Sequence, residues 1–347
     1  MGVPATDARG DPDPAGQVAA PPGRPPRRPP PAVTARLPEL VRRSGYGPDE
    51  PIVVGLQRRG EPPIFHARRL TPTTPVYAAS LAKQLTAALV ATLVRDDVLD
   101  VESPLARWLP ELPPWAADVR LRHLVHHTAN LPADPGIDAA MPGDRTSEGV
   151  IRALAGHPAL AGTPGGAHAY SNAGYVCLAT AAQRAAGRPL PELARRRLFD
   201  PLSMTATRYW PGPGPAPPGA EPLSSRHPAP LSLGDGGVWT TAADMLAWSR
   251  ALDADALGLS ALLHTEGRLD DGTPTGYAWG VGVRSHAGRR VYRHGGGWPG
   301  LRAMHARLPE PGWSVVLFAT ADDTERRMGL LSLLLDEVTG AAAGTCP

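Results

Sequence analysis

A serine followed three residues later by a lysine, Ser80 and Lys83, places a hydroxyl and an amine one helical turn apart on one face. Such a pair can do nucleophilic acyl chemistry: the amine takes the hydroxyl proton and the oxygen attacks a carbonyl carbon. Lys and Arg together number 35, and Lys83 is the only lysine, the other 34 being arginine. Arginine cannot release its proton at working pH, so a site that needs a proton acceptor on a long stem must keep lysine. Ser80 ends a loop and opens a helix, where backbone N–H groups are unpaired and can face an oxyanion. Tyr77, Leu81 and Leu85 supply the apolar surroundings that a lysine base requires.

Two further groups fit the same chemistry. In Tyr170-Ser171-Asn172, a phenol two residues before an amide can relay a proton while the amide holds a substrate carbonyl or Lys83. In His294-Gly295-Gly296-Gly297, after the strand-like Val291–Arg293, the glycines allow close backbone approach to a ligand. There an N–H can serve as the second oxyanion donor, and His294 can orient a carbonyl or share the proton network. Each group alone also has an ordinary structural reading: a capped helix with a surface lysine, a turn tyrosine, a hairpin turn with a solvent histidine. His126, His127 and the other histidines lack metal-ligand spacing, so no metal or other cofactor is implied. The chain has no Gly-x-Ser-x-Gly elbow, which argues against an α/β-hydrolase.

Taken in order, these three groups resemble the serine hydrolase family related to class C β-lactamases, D-alanyl-D-alanine peptidases and family VIII esterases. Further segments carry the resemblance: YAASLAKQLT (77–86), LRHLVHHTANLP (121–132), YSNAGY (170–175), LFDPLSMTAT (198–207), GGVWTTAAD (236–244) and HGGGWPGL (294–301). It implies an acyl-enzyme on Ser80, general-base and general-acid roles shared by Lys83 and Tyr170, and substrate positioning by Asn172. It also implies substrate contacts from His294 and Gly296, with an oxyanion hole from the N–H groups of Ser80 and Gly297. The implied fold is α/β (α+β): a β-lactamase/transpeptidase-like antiparallel sheet flanked by helices, plus an all-helical subdomain. Two departures stand out. Asn130 occupies a position where the family motif has glycine, which suits a left-handed backbone. His294 stands where β-lactamases carry the lysine that anchors a substrate carboxylate, which shifts the expectation toward an esterase or peptidase. β-Lactamase or D,D-peptidase activity, and a non-catalytic binding module on the same fold, remain alternatives.

The elements that must position these groups are legible in outline. Pro51–Gln57 and Ile64–Arg69 read as strands, and a helix runs from Leu81 to about Arg95. Helices are expected at Arg36–Arg43, Val119–His126, Ser147–Ala155, Gly174–Ala186 and Pro191–Leu198, and at Ala242–Leu252 capped by Thr241. Tyr277–Val283, Arg290–Arg293, Ala303–Leu308 and Trp313–Ala319 read as strands, and Arg326–Val338 as a closing helix. Asp134–Thr146 and the Pro-rich Pro211–Pro230 read as pocket or surface loops. Strands at both ends around a helical middle give a hydrolase domain over 34–340 with a helical insertion at roughly 96–235, between a Pro/Arg-rich tail at 1–33 and a short tail at 341–347.

A net charge of +2 without basic-aromatic clusters excludes a nucleic-acid partner, and no apolar run is long enough to span a membrane. The N-terminus has no secretory h-region, and Cys177 and Cys346 do not suggest a disulfide framework, so a cytoplasmic location is expected. The expected partner is a small ester, amide or peptide substrate. Oligomeric state is open, with a monomer sufficient for this chemistry.

Overall fold

The structure, a computed structural model, describes residues 31–141, 145–212 and 216–340. Most of the expected N-terminal tail, the tail at 341–347 and Cys346 lie outside the described residues. The described part begins with α1 (Pro31–Arg43), the hairpin β1 (Ile52–Arg58) and β2 (Ile64–Arg68), and the short β3 (Val76–Tyr77). A 3-10 turn, Ala79–Leu81, leads into α2 (Ala82–Arg95). The middle is helical: α3 (Leu121–Val125), α4 (Asp134–Ala139), α5 (Ser147–Ala155), α6 (Asn172–Ala186) and α7 (Leu190–Ala194), the last continued by a π turn over Arg195–Phe199. Then come β4 (Arg208–Tyr209), β5 (Val238–Thr240), α8 (Ala242–Asp253) and α9 (Ser260–Leu263). Strands β6 (Gly282–His286), β7 (Arg289–Trp298), β8 (Leu301–Leu308) and β9 (Trp313–Ala319) precede the closing helix α10 (Thr324–Thr339).

The main sheet has six strands in the order β2-β1-β9-β8-β7-β6, every pair antiparallel, so both ends of the chain build it. Side chains alternate between its faces, as the period of two requires. Ile52, Val54 and Leu56 of β1 and Val315 and Leu317 of β9 meet Leu37 of α1 and Leu330, Leu334 of α10. Val53, Val316 and Phe318 face the other way, into a second core with α2, α6 and α8. Each fully buried Leu or Val there contributes roughly 1.5–3 kcal/mol of transfer free energy. Every residue of α2 from Ala82 to Leu93 is buried, so this helix is the axis around which the helical part packs. A small three-stranded sheet, β3-β5-β4, holds the segment just before Ser80, with Val76 opposite Thr240 and Tyr77 opposite Trp239.

The expected antiparallel sheet with helices on both faces and a helical middle is what the chain forms. Thr241 caps α8 through the Asp244 N–H, as its position before the apolar run suggested. Three local expectations fail. A helix over Asp134–Ala139 occupies the start of the supposed pocket loop, with Pro135 in its first turn. β7 does not stop at Arg293 but runs through the glycines to Trp298, because pairing with β8 outweighs the weak strand propensity of glycine. Over Tyr277–Val283 the strand begins only at Gly282. Gly280 takes φ +76° there and turns the chain against the backbone of α2.

A Cβ on Gly280 would lie 2.4 Å from the Lys83 carbonyl oxygen and 2.5 Å from Gln84 Cα, backbone atoms that cannot swing aside. Gly280→Ala is therefore expected to cost about 2–4 kcal/mol by urea denaturation. An unchanged midpoint would show that the turn does not press on α2.

Candidate active site

The nucleophile candidate sits where strain and burial meet. Ala79, just before Ser80, takes φ +46°, a left-handed conformation uncommon for a residue with a side chain. The preceding backbone is fixed by Ala78 N–H donating to the Val238 carbonyl at 2.8 Å. One turn into α2, Lys83 is fully buried, and its Nζ donates to Ser80 Oγ at 3.1 Å. Two more acceptors complete the three an ammonium can serve: Asn172 Oδ1 at 2.8 Å and the Asp235 carbonyl at 2.8 Å. Among the described residues no carboxylate forms an ion pair with Lys83, so the amine faces neutral oxygens only.

Each of those acceptors is itself braced. Asn172 is the first residue of α6, and Ser171 caps the helix by accepting from Gly174 N–H at 3.0 Å. Asp134 lies across this helix start: Oδ2 accepts from the Asn172 N–H and from Asn172 Nδ2, both at 2.8 Å, and Oδ1 from Ala173 N–H at 3.2 Å. A carboxylate suits the positive end of a helix, and here it also settles the amide orientation, turning Oδ1 of Asn172 toward Lys83. Asp235 is held by Arg145, whose Nη1 lies 2.5 Å from its carboxylate and 2.6 Å from Ser232 Oγ. Burial opposes the Arg145 charge, but Asp235 and Asp138 outweigh it and hold the guanidinium above its ordinary pKa.

Tyr170 stands at the mouth, 45% exposed, with its ring centroid 4.9 Å from Lys83 Nζ. Ser80, Tyr170, His294, the three glycines, Trp298, Arg302 and Arg327 line a cleft of about 590 Å³. β6 pairs with β7 only as far as Arg293, so β7 from His294 onward presents a free edge toward the Ser80 turn. Gly296 makes that approach possible: a Cβ there would meet the Ala78 carbonyl at 2.5 Å. At Gly297 a Cβ would have ordinary room, 3.5 Å from Arg302.

The arrangement changes what His294 can do. Its Nδ1 contacts the Gly295 carbonyl at 2.7 Å and its Nε2 the Tyr277 hydroxyl at 3.0 Å. Burial, then the charge of Lys83, push its pKa down to about 3. Burial pushes the Tyr277 phenol up, so that hydroxyl donates, Nε2 accepts and the Nδ1–H donates to Gly295. With both nitrogens engaged on the protein, the ring has no free donor or charge for a substrate. It braces the glycine strand instead.

The structure thus gathers Ser80, Lys83, Tyr170, Asn172, His294, Gly296 and Gly297 around one cleft. Sequence reasoning missed Asp134, Arg145, Asp235 and Tyr277, which position those residues. The Asp-Pro pair at 134–135 signals a helix start, but nothing in the order of residues ties Asp134 to a second helix 38 positions on. Among the described residues no cluster of His, Cys, Asp or Glu could hold a metal, and no helix is long and apolar enough to cross a membrane. Cys177 is a buried free thiol.

Comparison with known proteins follows the same lines. The model of the beta-lactamase family matches residues 52–339. The chain is 31% identical over 186 residues to the D-alanyl-D-alanine-carboxypeptidase/endopeptidase AmpH of Escherichia coli (strain K12), covering 50% of this chain and 47% of that protein. It is 26% identical over 285 residues to penicillin-binding protein 4* of Bacillus subtilis (strain 168), covering 73% and 62%. It thus spans about half to three-fifths of the length of these curated relatives. Its fold is similar to a D-stereospecific amidohydrolase from Streptomyces sp., with a TM-score of 0.73, 21% identity, and coverage of 90% and 100%.

Removing the Asp134 carboxylate frees the Asn172 amide and leaves two helix-start N–H groups unpaired. Asp134→Ala is expected to cost about 1–2 kcal/mol of stability and to lower kcat by roughly tenfold to a hundredfold through misplaced groups. Unchanged kcat would mean that Asp134 is not what holds Asn172. A second expectation concerns acid. Burial pushes His123 and His126 down to about 4 and His294 and His305 to about 3, from an ordinary 6.5. The unfolded chain therefore binds protons that the native state refuses. Stability from these rings is whole above pH 6.5 and is lost as pH falls toward 3, so Tm should drop steadily from pH 6.5 to 4. A flat Tm over that interval would show that the rings are not held neutral.

Proposed function

The chain belongs to the beta-lactamase family, and from that premise we propose that it is a serine hydrolase that forms an acyl-enzyme on Ser80 and cleaves an ester or amide bond. The observation that carries this reading is the 3.1 Å contact between Ser80 Oγ and the buried amine of Lys83, with the amine fixed by Asn172 and Asp235. In the reaction Lys83, once it has given up one of its three protons, takes the Ser80 proton as Oγ bonds to the substrate carbonyl carbon. The resulting oxyanion rests on the N–H groups of Ser80 and Gly297. Collapse expels the alcohol or amine, which receives its proton through Tyr170 and Lys83. Water, activated by the same pair, then attacks the ester on Ser80 and releases the acid. Asn172 has its amide committed to Lys83 and Asp134, so its part in the substrate site is to hold Lys83.

Relatives named for D-alanyl-D-alanine carboxypeptidase and D-stereospecific amidohydrolase activity favour amides of small amino-acid type as substrates. A second reading, D,D-peptidase or β-lactamase activity, needs a cation for the substrate carboxylate. His294 is neutral and cannot supply it. Arg327 can: it lines the cleft, Nη1 donates to the Gly296 carbonyl at 2.9 Å, and it forms no ion pair among the described residues. Arg302, beside it, is already paired with Asp322.

Hydrolysis of p-nitrophenyl butyrate by the wild type and by Ser80→Ala tests the main reading. Activity that falls to background in Ser80→Ala is expected. Equal activity in both would remove Ser80 as the nucleophile. An inert wild type would favour a binding module on this fold. The β-lactam nitrocefin, assayed alongside, separates the second reading: turnover that Arg327→Leu abolishes, with ester hydrolysis intact, would establish it.

A further inference from the structure

We propose that His127 is a positioning residue that sets the Tyr170 side chain against the Ser80–Lys83 pair by holding both of Tyr170's chain neighbours. The proposal rests on the reading of Tyr170 as the proton carrier. His127 carries two acceptors, and both are spent on the tyrosine loop. Its carbonyl accepts from Ala169 N–H at 2.7 Å, and its Nδ1 accepts from Ser171 N–H at 3.1 Å. The residue between those two donors is Tyr170. Its ring lies against the imidazole, centroids 4.3 Å apart and planes 37° apart. Tyr175 and Tyr277 pack against the same imidazole at 5.0 and 4.6 Å, so the histidine is wedged between aromatic walls. The segment that follows continues the attachment: the Thr128 carbonyl accepts from Gly165 N–H at 2.8 Å, and Asn130 Nδ2 donates to the Thr163 carbonyl at 2.8 Å.

Two features show that this histidine is not there for packing. It is 2% exposed, yet among the described residues its Nε2 has no hydrogen-bond partner, and it takes φ +56°, a left-handed conformation. A phenylalanine would fill the same space without burying an unpaired N–H. What phenylalanine lacks is the Nδ1 acceptor for Ser171. That acceptor needs a neutral ring with its proton on Nε2, and burial, then the nearby charge of Lys83, hold the ring well below its ordinary pKa. Ser171 also caps α6 through the Gly174 N–H, while Asn172 is held separately by Asp134.

Four variants of the full chain decide the matter: His127→Phe, His127→Asn, Tyr170→Phe and the double variant His127→Phe/Tyr170→Phe. Asparagine restores an acceptor near the place of Nδ1 and tolerates the left-handed backbone. With p-nitrophenyl butyrate, His127→Phe is expected to lower kcat by about tenfold to a hundredfold, with KM changed by no more than about twofold. His127→Asn should recover most of the lost kcat. In the Tyr170→Phe background, His127→Phe should add almost nothing, because the histidine acts through the tyrosine. A full additional loss in the double variant, or an unchanged kcat in His127→Phe, would overturn the proposal. An inert wild type would count against the hydrolase reading, and a second measurement then decides for His127. With [13Cζ]-tyrosine labelling, the NMR resonance that Tyr170→Phe removes should shift in His127→Phe and return toward its wild-type place in His127→Asn. A resonance that keeps its wild-type place in both His127 variants would overturn the clamp whatever the activity.

Discussion

The structure depends on one buried amine. Lys83 is withdrawn from water on a helix that is buried on every side, and a group with three N–H donors in such a place must find three acceptors. It finds them on three separate segments: the Ser80 hydroxyl one turn back, the Asn172 amide at the start of α6, and the Asp235 carbonyl before β5. None of the three is charged. Neutral oxygens fix its position without an ion pair.

Much of the surrounding architecture follows from keeping those acceptors in place. Asp134 turns the Asn172 amide the right way round and neutralises the helix start. Arg145 grips the Asp235 carboxylate so that its carbonyl stays aimed at Lys83. Gly280 lets a turn rest directly on the Lys83 backbone, and Gly296 lets β7 rest on the Ser80 turn. The cations and carboxylates that do this stand one step behind the amine, where ion pairing costs the site nothing in reactivity.

A second layer is aromatic and neutral. His127, Tyr175, Tyr277 and His294 pack around Tyr170 and Lys83, and burial keeps both rings uncharged and both buried phenols protonated. Three of their hydrogen bonds go to backbone: Nδ1 of His127 on Ser171, Nδ1 of His294 on Gly295, the Tyr175 hydroxyl on Val125; a fourth joins the Tyr277 hydroxyl to His294 Nε2. This layer gives shape to the cleft without adding charge to it. Among the described residues that line the cleft, the charged ones are Arg302, Arg327 and Asp322.

By itself the sequence marked the candidate site residues and most of the elements that carry them. The sole lysine, three residues after a serine, survives as a local signal because a helix places those positions one turn apart. The strand β9 and the Thr241-capped start of α8 were also legible locally, and Asn130 at φ +51° is the left-handed position that asparagine in place of glycine suggested. Only the tertiary structure decided how those residues are held. Asp134, Arg145 and Tyr277 act on partners 38, 90 and 17 positions away, and their residue types carry no mark of it. His294 looked like a substrate contact because exposure cannot be read from a histidine before glycines. Burial and two hydrogen bonds, which exist only once β7 meets Tyr277, engage both of its ring nitrogens on the protein. Local geometry is written in spacing, but dielectric and long-range pairing come into being only when the chain closes on itself.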